Sequence, residues 1–348
     1  MPVLMDIDAP GHHLWAVARH NRQKVLSETG KGLDCCLNIG LINNMADGAL
    51  ISTERQLFHL LNGAAERIPI RLHLYALPTV CRGEWARQYI RRFYLDADKL
   101  LDSSLDGLIV TGAEPQADSL REEPYWESFA RVVDWAQENT GSAVWSCLAV
   151  HAAVLHLDNI ERHELEKKCV GVFKQRKKTE HVLLKGVPSH FMIPHSRWNE
   201  VSERSLSSSG YSVLTSSNEA GVDMFVKRKR RSLFVYFQGH PEYDAHSLLG
   251  EYRRDVGRFL RGEMERYPTM PHGYFDKLAI ELLAAFQRRA ESDRCKELLA
   301  AFPADVLSMR AKNSWRLAAN RIYRNWIKYV AGQKLRETRI SDVMAAEV

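Results

Sequence analysis

One cysteine and one histidine–glutamate pair carry the strongest chemical signal in this chain of 348 residues. Cys147 closes the apolar, β-prone run Ala143-Val144-Trp145-Ser146, and a helical pattern begins at once, with Ala149, Ala152, Ala153, Leu155 and Leu157 suited to it. A residue held at such a strand-to-helix turn projects from the carboxyl end of a sheet. The N–H groups that open the helix point back at it, and the positive end of the helix dipole favours thiolate. That placement suits a nucleophile, whereas a cysteine met in isolation is more often a buried structural residue.

The second signal closes another apolar strand, Leu233 to Phe237, which runs into Gln238-Gly239-His240-Pro241-Glu242-Tyr243. The imidazole of His240 can take a thiol proton, and the carboxylate of Glu242 can orient the ring. A lone His-x-Glu is usually just solvated. A strand-Cys-helix and a strand-Gly-His-Pro-Glu in one chain together make the sharper signal, that of nucleophilic catalysis.

The elements that must position these groups alternate between strands and helices. Residues 36–42 read as a first buried strand, followed by a loop over 43–48. A helix opens at Thr53 and Glu54 with Ser52 as N-cap, carrying Leu57, Leu60, Leu61 and Ala64 at helical spacing. Residues 70–75 alternate as a second strand, and 83–94 form a helix basic on one face. Residues 107–111 are a third strand, ending in the loop 112–116. A helix over 127–139 leads to the strand that ends at Cys147. Strands apolar along their whole length, alternating with helices, predict a parallel sheet covered on both faces. Ligands of such sheets bind outside the carboxyl ends of the strands, where Asn43, Gly112, Cys147 and His240 all fall.

Elsewhere the pattern is weaker. Residues 1–34 read as an irregular N-terminal arm with one helix over 14–26, and His12-His13 as an exposed pair rather than a metal site. Residues 158–222 read as loops and short strands. Residues 223–226 and 233–237 form a hairpin, and 248–259 a helix. The segment 276–302 is strongly helical and reads as an added helical pair broken at Phe302-Pro303, before a last helix over 314–331. The economical division is an arm (1–34), an α/β domain (35–275) and a C-terminal helical extension (276–348) packing on the same domain.

Composition narrows the function classes. An apolar share of 45% is ample for a core, and no run is long enough to span a bilayer. The first residues carry acids where a signal peptide would carry Lys or Arg, which predicts a cytoplasmic protein. Six cysteines, two of them the adjacent Cys35 and Cys36, form no CxxC pair and no zinc spacing, so reduced thiols and no metal are expected. A net charge of +5 suits an anionic substrate, without a nucleic-acid motif. Basic clusters lie at 174–178 and 227–231. The second reads as a solvated hairpin turn, with attraction for the phosphates of a ligand as the alternative. The dinucleotide fingerprint, the P-loop, His-Glu-x-x-His and Gly-x-Ser-x-Gly are all missing.

Taken in order, several segments resemble the homoserine O-acyltransferases of the class I glutamine amidotransferase superfamily. They are Asp106 to Ala113, Pro124 to Trp126, Cys147 to Val150, Pro194 to Arg197, Gly239 to Ala245 and Arg254-Asp255, then Ser314 to Arg316 and Asn325-Trp326. The resemblance covers residues 35–275 and 312–330. It implies a flavodoxin-like α/β fold with a mainly parallel sheet flanked by helices, here with a C-terminal helical elaboration. It implies acyl transfer from an acyl-CoA co-substrate to the hydroxyl of homoserine, as in methionine biosynthesis, by a homodimer without metal or bound cofactor. By the same resemblance Cys147 is the nucleophile, His240 the base and Glu242 its partner. Arg254 holds the substrate carboxylate, and Lys168 and Ser196 belong to the substrate pocket. The Leu148 N–H is the expected first oxyanion donor, with a loop amide near Asn44 and Met45 as the second.

The chain also departs from the family. Leu148 stands where Trp is usual, and Ala46-Asp47-Gly48 replaces a pair of lysines in the first loop. Gln116 falls at the acyl-specificity position, where succinyl-specific members carry Gly and acetyl-specific members Glu. Succinyl is the preferred expectation, with acetyl, or a serine-type acceptor, as alternatives. A glutaminase-type amidotransferase would use the same triad, but its Gly-x-Cys-x-Gly is replaced here by Trp145 and Ala149.

Overall fold

The computed structural model describes residues 3–5, 11–29 and 36–346, leaving aside the side chains of residues 27–29 and 340–346. Its frame is a nine-stranded sheet. The strands run in the order Val3–Met5, Ile70–Ala76, Leu37–Ile42, Gly107–Thr111, Ser142–Ser146, Ser232–Phe237, Met224–Lys229 and Ser212–Val213, with Leu95–Asp96 beside Ile70–Ala76. Neighbours from Val3–Met5 to Ser232–Phe237 are parallel, and the last two pairings are antiparallel. The central strands Gly107–Thr111 and Ser142–Ser146 are buried at every position, as strands covered on both faces must be.

The helices Trp126–Asn139 and Leu148–Asp158 cover one face with Phe129, Val132, Val133, Ala149 and Val150. Asp47–Ala64 and Arg316–Ala346 cover the other with Leu57, Phe58, Leu61, Ile322 and Trp326. Each such fully buried Leu or Phe contributes about 1.5–3 kcal/mol of transfer free energy. The indole of Trp326 also donates to Ser142 Oγ at 3.0 Å, so burial leaves it a partner.

The chain passes from Leu37–Ile42 to a strand on one side and then to Gly107–Thr111 on the other. The loops after these two strands therefore diverge and leave a crevice at their carboxyl ends. Asn44 braces it, donating from its backbone to Thr111 Oγ1 at 2.8 Å and from its amide to Thr111 O at 3.2 Å.

Several elements differ from expectation. The N-terminal segment adds the edge strand Val3–Met5, three residues too few to show alternation, while the helix expected over 14–26 is present as Trp15–Thr29. His12 is buried rather than exposed, with Nε2 2.7 Å from Glu54 Oε1, while His13 stays exposed. The helix expected from Thr53 already opens at Asp47 behind Ala46, and Ser52 lies inside it, donating to Ala49 O. Asp47 suits the positive end of that helix and accepts from Gly83 N at 2.7 Å. Residues 158–222 hold a second, antiparallel sheet of Gly221–Val222, Thr215–Ser217, His163–Lys177 and His190–Glu200. Its two long strands had read as short ones because the exposed, charged first half of His163–Lys177 carries no apolar pattern.

The C-terminal segment holds the helix Lys277–Ser292, capped by Asp276, then a 3-10 turn Lys296–Ala301 and a short helix Ala304–Arg310 opened by Pro303. Leu283, Phe286, Phe302, Leu307 and Trp315 pack on Tyr252, Val256 and Phe259 of the helix Ser247–Leu260. Among the described residues no helix is long and apolar enough to cross a membrane. Cys36, Cys81, Cys147, Cys169 and Cys295 are unbridged, and Cys35 lies outside the described residues.

Candidate active site

Cys147 sits between Ser142–Ser146 and Leu148–Asp158 with φ 54° and ψ −118°. A side chain pays roughly 1–3 kcal/mol for such a conformation. The turn is held by Cys147 N–H donating to Phe237 O at 2.9 Å and by Val150 N–H donating to Cys147 O at 2.9 Å. The Leu148 amide opens the helix with no protein acceptor among the described residues, and Leu148 lines the cleft described below. The neighbouring loop comes so close that a Cβ on Gly112 would lie 2.8 Å from Leu148 N and 2.6 Å from Leu148 Cβ, so only glycine fits undisturbed. The amides of Gly112 and Ala113 have no protein acceptor either among the described residues. The amides of Asn44 and Met45, the expected region of a second oxyanion donor, are both engaged, with Thr111 Oγ1 and Asn43 Oδ1.

His240 follows Ser232–Phe237 and is anchored by its own N–H to Pro194 O at 2.8 Å. The preceding Gly239 is pressed on Asp223 and Ile193, where a Cβ would meet Asp223 Oδ1 and Ile193 Cγ2 at 2.6 Å. Nδ1 of His240 lies 2.7 Å from Glu242 Oε1, which leaves Nε2 for the neighbouring thiol of Cys147. Both His240 and Glu242 are buried. Burial opposes a charge on the ring, but the Glu242 carboxylate and then Cys147 outweigh it and hold the imidazole well above its ordinary pKa. The ring of Tyr243 stacks on His240 at 4.2 Å. The C-terminal segment reaches this point, for Trp315 Nε1 and Arg316 Nη2 donate to Tyr243 O at 2.8 and 3.1 Å.

Around this triad opens a cleft of about 490 Å³, within the usual range for small-molecule sites. Cys147, Leu148, His240, Lys168, Ser196 and Arg254 all line it, and Glu242 stands behind His240. Asp255 ties two of the cations together: Lys168 Nζ lies 2.8 Å from Oδ2, and Arg254 Nε and Nη2 lie 3.1 Å from Oδ1. Burial would raise the Asp255 pKa, yet Lys168 and then Arg254 keep it below the usual carboxylate range. Arg254 remains 57% exposed, so part of its guanidinium still faces the cleft. Ser196 and Tyr243 both donate to Glu251.

Apart from Glu242 behind His240, Gln116 is the expected site residue that does not line this cleft. It is exposed in an adjoining one, and its N–H donates to Glu123 Oε1 at 2.6 Å. Neither basic cluster lines the cleft. The cluster at 227–231 closes the hairpin in an exposed turn at Arg230 and Arg231, as expected, and is also matched by acids, with Lys227 and Lys229 on Asp158, Arg230 on Glu138 and Arg231 on Glu337. Sequence reasoning missed Arg162 and gave Tyr243 and His151 no part, though all three line the cleft. By sequence alone Glu251 and Asp255, on the same helix as Arg254, read as its ion-pair partners and no more. The recurrence of Glu251, Arg254, Asp255 and Arg258 on one helix face was the signal available.

Comparison with known proteins adds three findings. The family model for homoserine O-succinyltransferase matches residues 25–336. The homoserine O-succinyltransferase of Rhodopseudomonas palustris is 45% identical over 94% of this chain and 97% of its own, and that of Bradyrhizobium japonicum 47% over 85% and 90%. Among solved structures, a glutamine amido transferase from Methylobacillus Flagellatus aligns over 85% of this chain and 95% of its own, at 16% identity and a TM-score of 0.48.

Proposed function

The chain belongs to the homoserine O-succinyltransferase family, and on that footing we propose that it transfers the acyl group of succinyl-CoA to the hydroxyl of L-homoserine through a thioester on Cys147. The observation that carries this reading is the half-buried Cys147 beside the buried His240 and Glu242, at a cleft also lined by Lys168, Ser196, Glu251 and Arg254. We further place the reaction in methionine biosynthesis in the cytoplasm, with a homodimer as the working form.

In the first half-reaction the Cys147 thiolate attacks the thioester carbonyl of the donor, and His240 carries the proton that returns to the coenzyme A sulfur. One thioester replaces another, so this exchange is nearly isoenergetic. The oxyanion is met by the Leu148 N–H and an amide of the Gly112-Ala113 loop. Removing one such donor typically costs about 100- to 1000-fold in rate. In the second half-reaction His240 takes the hydroxyl proton of homoserine, whose oxygen attacks the acyl-enzyme and releases the thiol. Proton transfer of this kind contributes typically about 100- to 10,000-fold. Glu242 fixes the tautomer and stabilises the imidazolium.

The acceptor carries both a carboxylate and an ammonium. Arg254 suits the carboxylate, because a planar fork can hold it while one edge stays on Asp255. Lys168 adds charge at the same place, and Glu251, oriented by Ser196 and Tyr243, suits the ammonium. The test is product analysis. Enzyme is supplied with succinyl-CoA or acetyl-CoA and with homoserine or serine, and separately with glutamine alone. O-succinylhomoserine as the fastest product supports the reading. Glutamate released from glutamine with no ester formed would replace it with an amidotransferase.

A further inference from the structure

Five arginines and lysines line the cleft, and four of them are spoken for. Lys168 and Arg254 share Asp255. Arg197 donates to Asn199 O at 2.9 Å and to Ala220 O at 2.5 Å, and Arg258 lies 3.7 Å from Glu263. Arg162 has no ion pair and no hydrogen bond among the described residues, and its Nη1 is buried without an acceptor. A guanidinium nitrogen taken out of water with nothing to donate to is costly unless an anion comes to it.

The surroundings of Arg162 say where that anion would lie. Its field acts on His151, which also lines the cleft and follows Cys147 by four residues, about 6 Å along the helix axis. His151 supplies no competing charge. Gln238 donates its amide to Val222 O at 2.7 Å, so Gln238 Oε1, 3.2 Å from His151 Nε2, accepts from that ring. Burial then holds His151 far below its usual pKa, at about 3. Positive charge at this end of the cleft comes from Arg197, whose Nη1 and Nη2 are spent on Asn199 O and Ala220 O, and from Arg162, whose Nη1 has no acceptor, while the acceptor-binding cations stand together at Asp255 on a different element.

We infer that Arg162 receives the distal carboxylate of a dicarboxylic acyl group carried on Cys147, and so selects a succinyl-type donor over a neutral one. A succinyl thioester places its free carboxylate two methylenes beyond the thioester carbon, the scale of the one-turn offset between Cys147 and His151. An acetyl group places nothing there and leaves the Arg162 guanidinium unpaired. This assigns donor selection to Arg162 rather than to Gln116, which faces the adjoining cleft. The inference rests on the acyl-enzyme reading above.

The test measures single-turnover acylation of Cys147 by intact mass, with succinyl-CoA, its neutral amide analogue succinamoyl-CoA, and acetyl-CoA. The unmodified enzyme should favour succinyl-CoA over the amide analogue, a comparison that needs no variant and no refolding. Arg162→Gln should lower the succinylation rate by roughly 30-fold or more, the scale of a lost charged partner in a site. It should cost acetylation far less, so the donor preference collapses, and Arg162→Lys should restore part of it. Equal losses with all three donors would overturn the inference in favour of a coenzyme or structural role. Normal acylation with failed transfer to homoserine would place Arg162 on the acceptor. An unmodified enzyme that no acyl-CoA labels would instead refute the acyl-enzyme reading itself.

Discussion

Replacing Glu242 by Gln removes one charge from the triad and little volume. Glu242 Oε1 lies 2.7 Å from His240 Nδ1 with both residues buried. Hydrogen bonds to charged groups are worth about 1.5–3 kcal/mol, and losing one partner of a buried charged pair costs about 2–5 kcal/mol. The imidazolium forms in both half-reactions, so a penalty of about 2–4 kcal/mol should appear in kcat as a loss of roughly 30- to 1000-fold. The pH profile should move as well. Burial pushes the His240 pKa down, and the Glu242 carboxylate is the larger of the attractions that hold it up. Without the carboxylate burial prevails, the imidazolium loses its proton at lower pH, and the alkaline limb of acylation should shift to lower pH. Stopped-flow acylation across pH, on both enzymes, measures rate and limb together. His240→Ala should be the more damaging change. An unchanged alkaline limb with a near-normal rate in Glu242→Gln would refute this role for the carboxylate.

Three further outcomes are expected. Gly112→Ala should lower kcat about 100-fold with the fold intact, because the added methyl displaces Leu148 and its oxyanion-facing amide; full activity would remove that loop from the oxyanion site. Arg254→Ala should still form the acyl-enzyme but fail to discharge it to homoserine, by roughly 30-fold or more, and slow acylation with normal discharge would move Arg254 to the donor side. His151, held down at about 3 by burial against 6.5 when exposed, takes up its proton in the unfolded chain first, so stability should fall as pH drops below 6.5 towards 3. Between pH 7 and 4.5 that amounts to about 2–3 kcal/mol, which urea unfolding of His151→Gln should show to be relieved; identical slopes in both proteins would contradict it.

The parallel half of the sheet was legible because its strands are apolar throughout and end in loops rich in chemistry. Residues 107–111 were bounded as observed, and the turn at Cys147 stands where an apolar strand meets a helical pattern. The long strands His163–Lys177 and His190–Glu200 were not, because exposed charges fill the first half of one and the buried face of the other carries His195 and Arg197 beside Phe191 and Ile193. Val3–Met5 is too short to show a period, and it is paired by the sheet edge beside it. In the cleft, Cys147, His240, Lys168, Ser196 and Arg254 were named from sequence. The couplings that bring them together were not: Lys168 meets Asp255, and Ser196 meets Glu251, through contacts between elements far apart in the chain. Arg162 had no motif, and only its lack of a partner in the folded chain singles it out.

Everything proposed for the chemistry passes through one covalent intermediate, which intact-protein mass spectrometry can observe. The enzyme is mixed with succinyl-CoA without an acceptor, digested to locate the adduct, then given homoserine. A succinyl adduct on Cys147 that forms within a turnover and is discharged as O-succinylhomoserine is the expected result. No adduct in an enzyme that still makes the ester, or the same adduct and turnover in Cys147→Ala, would contradict it.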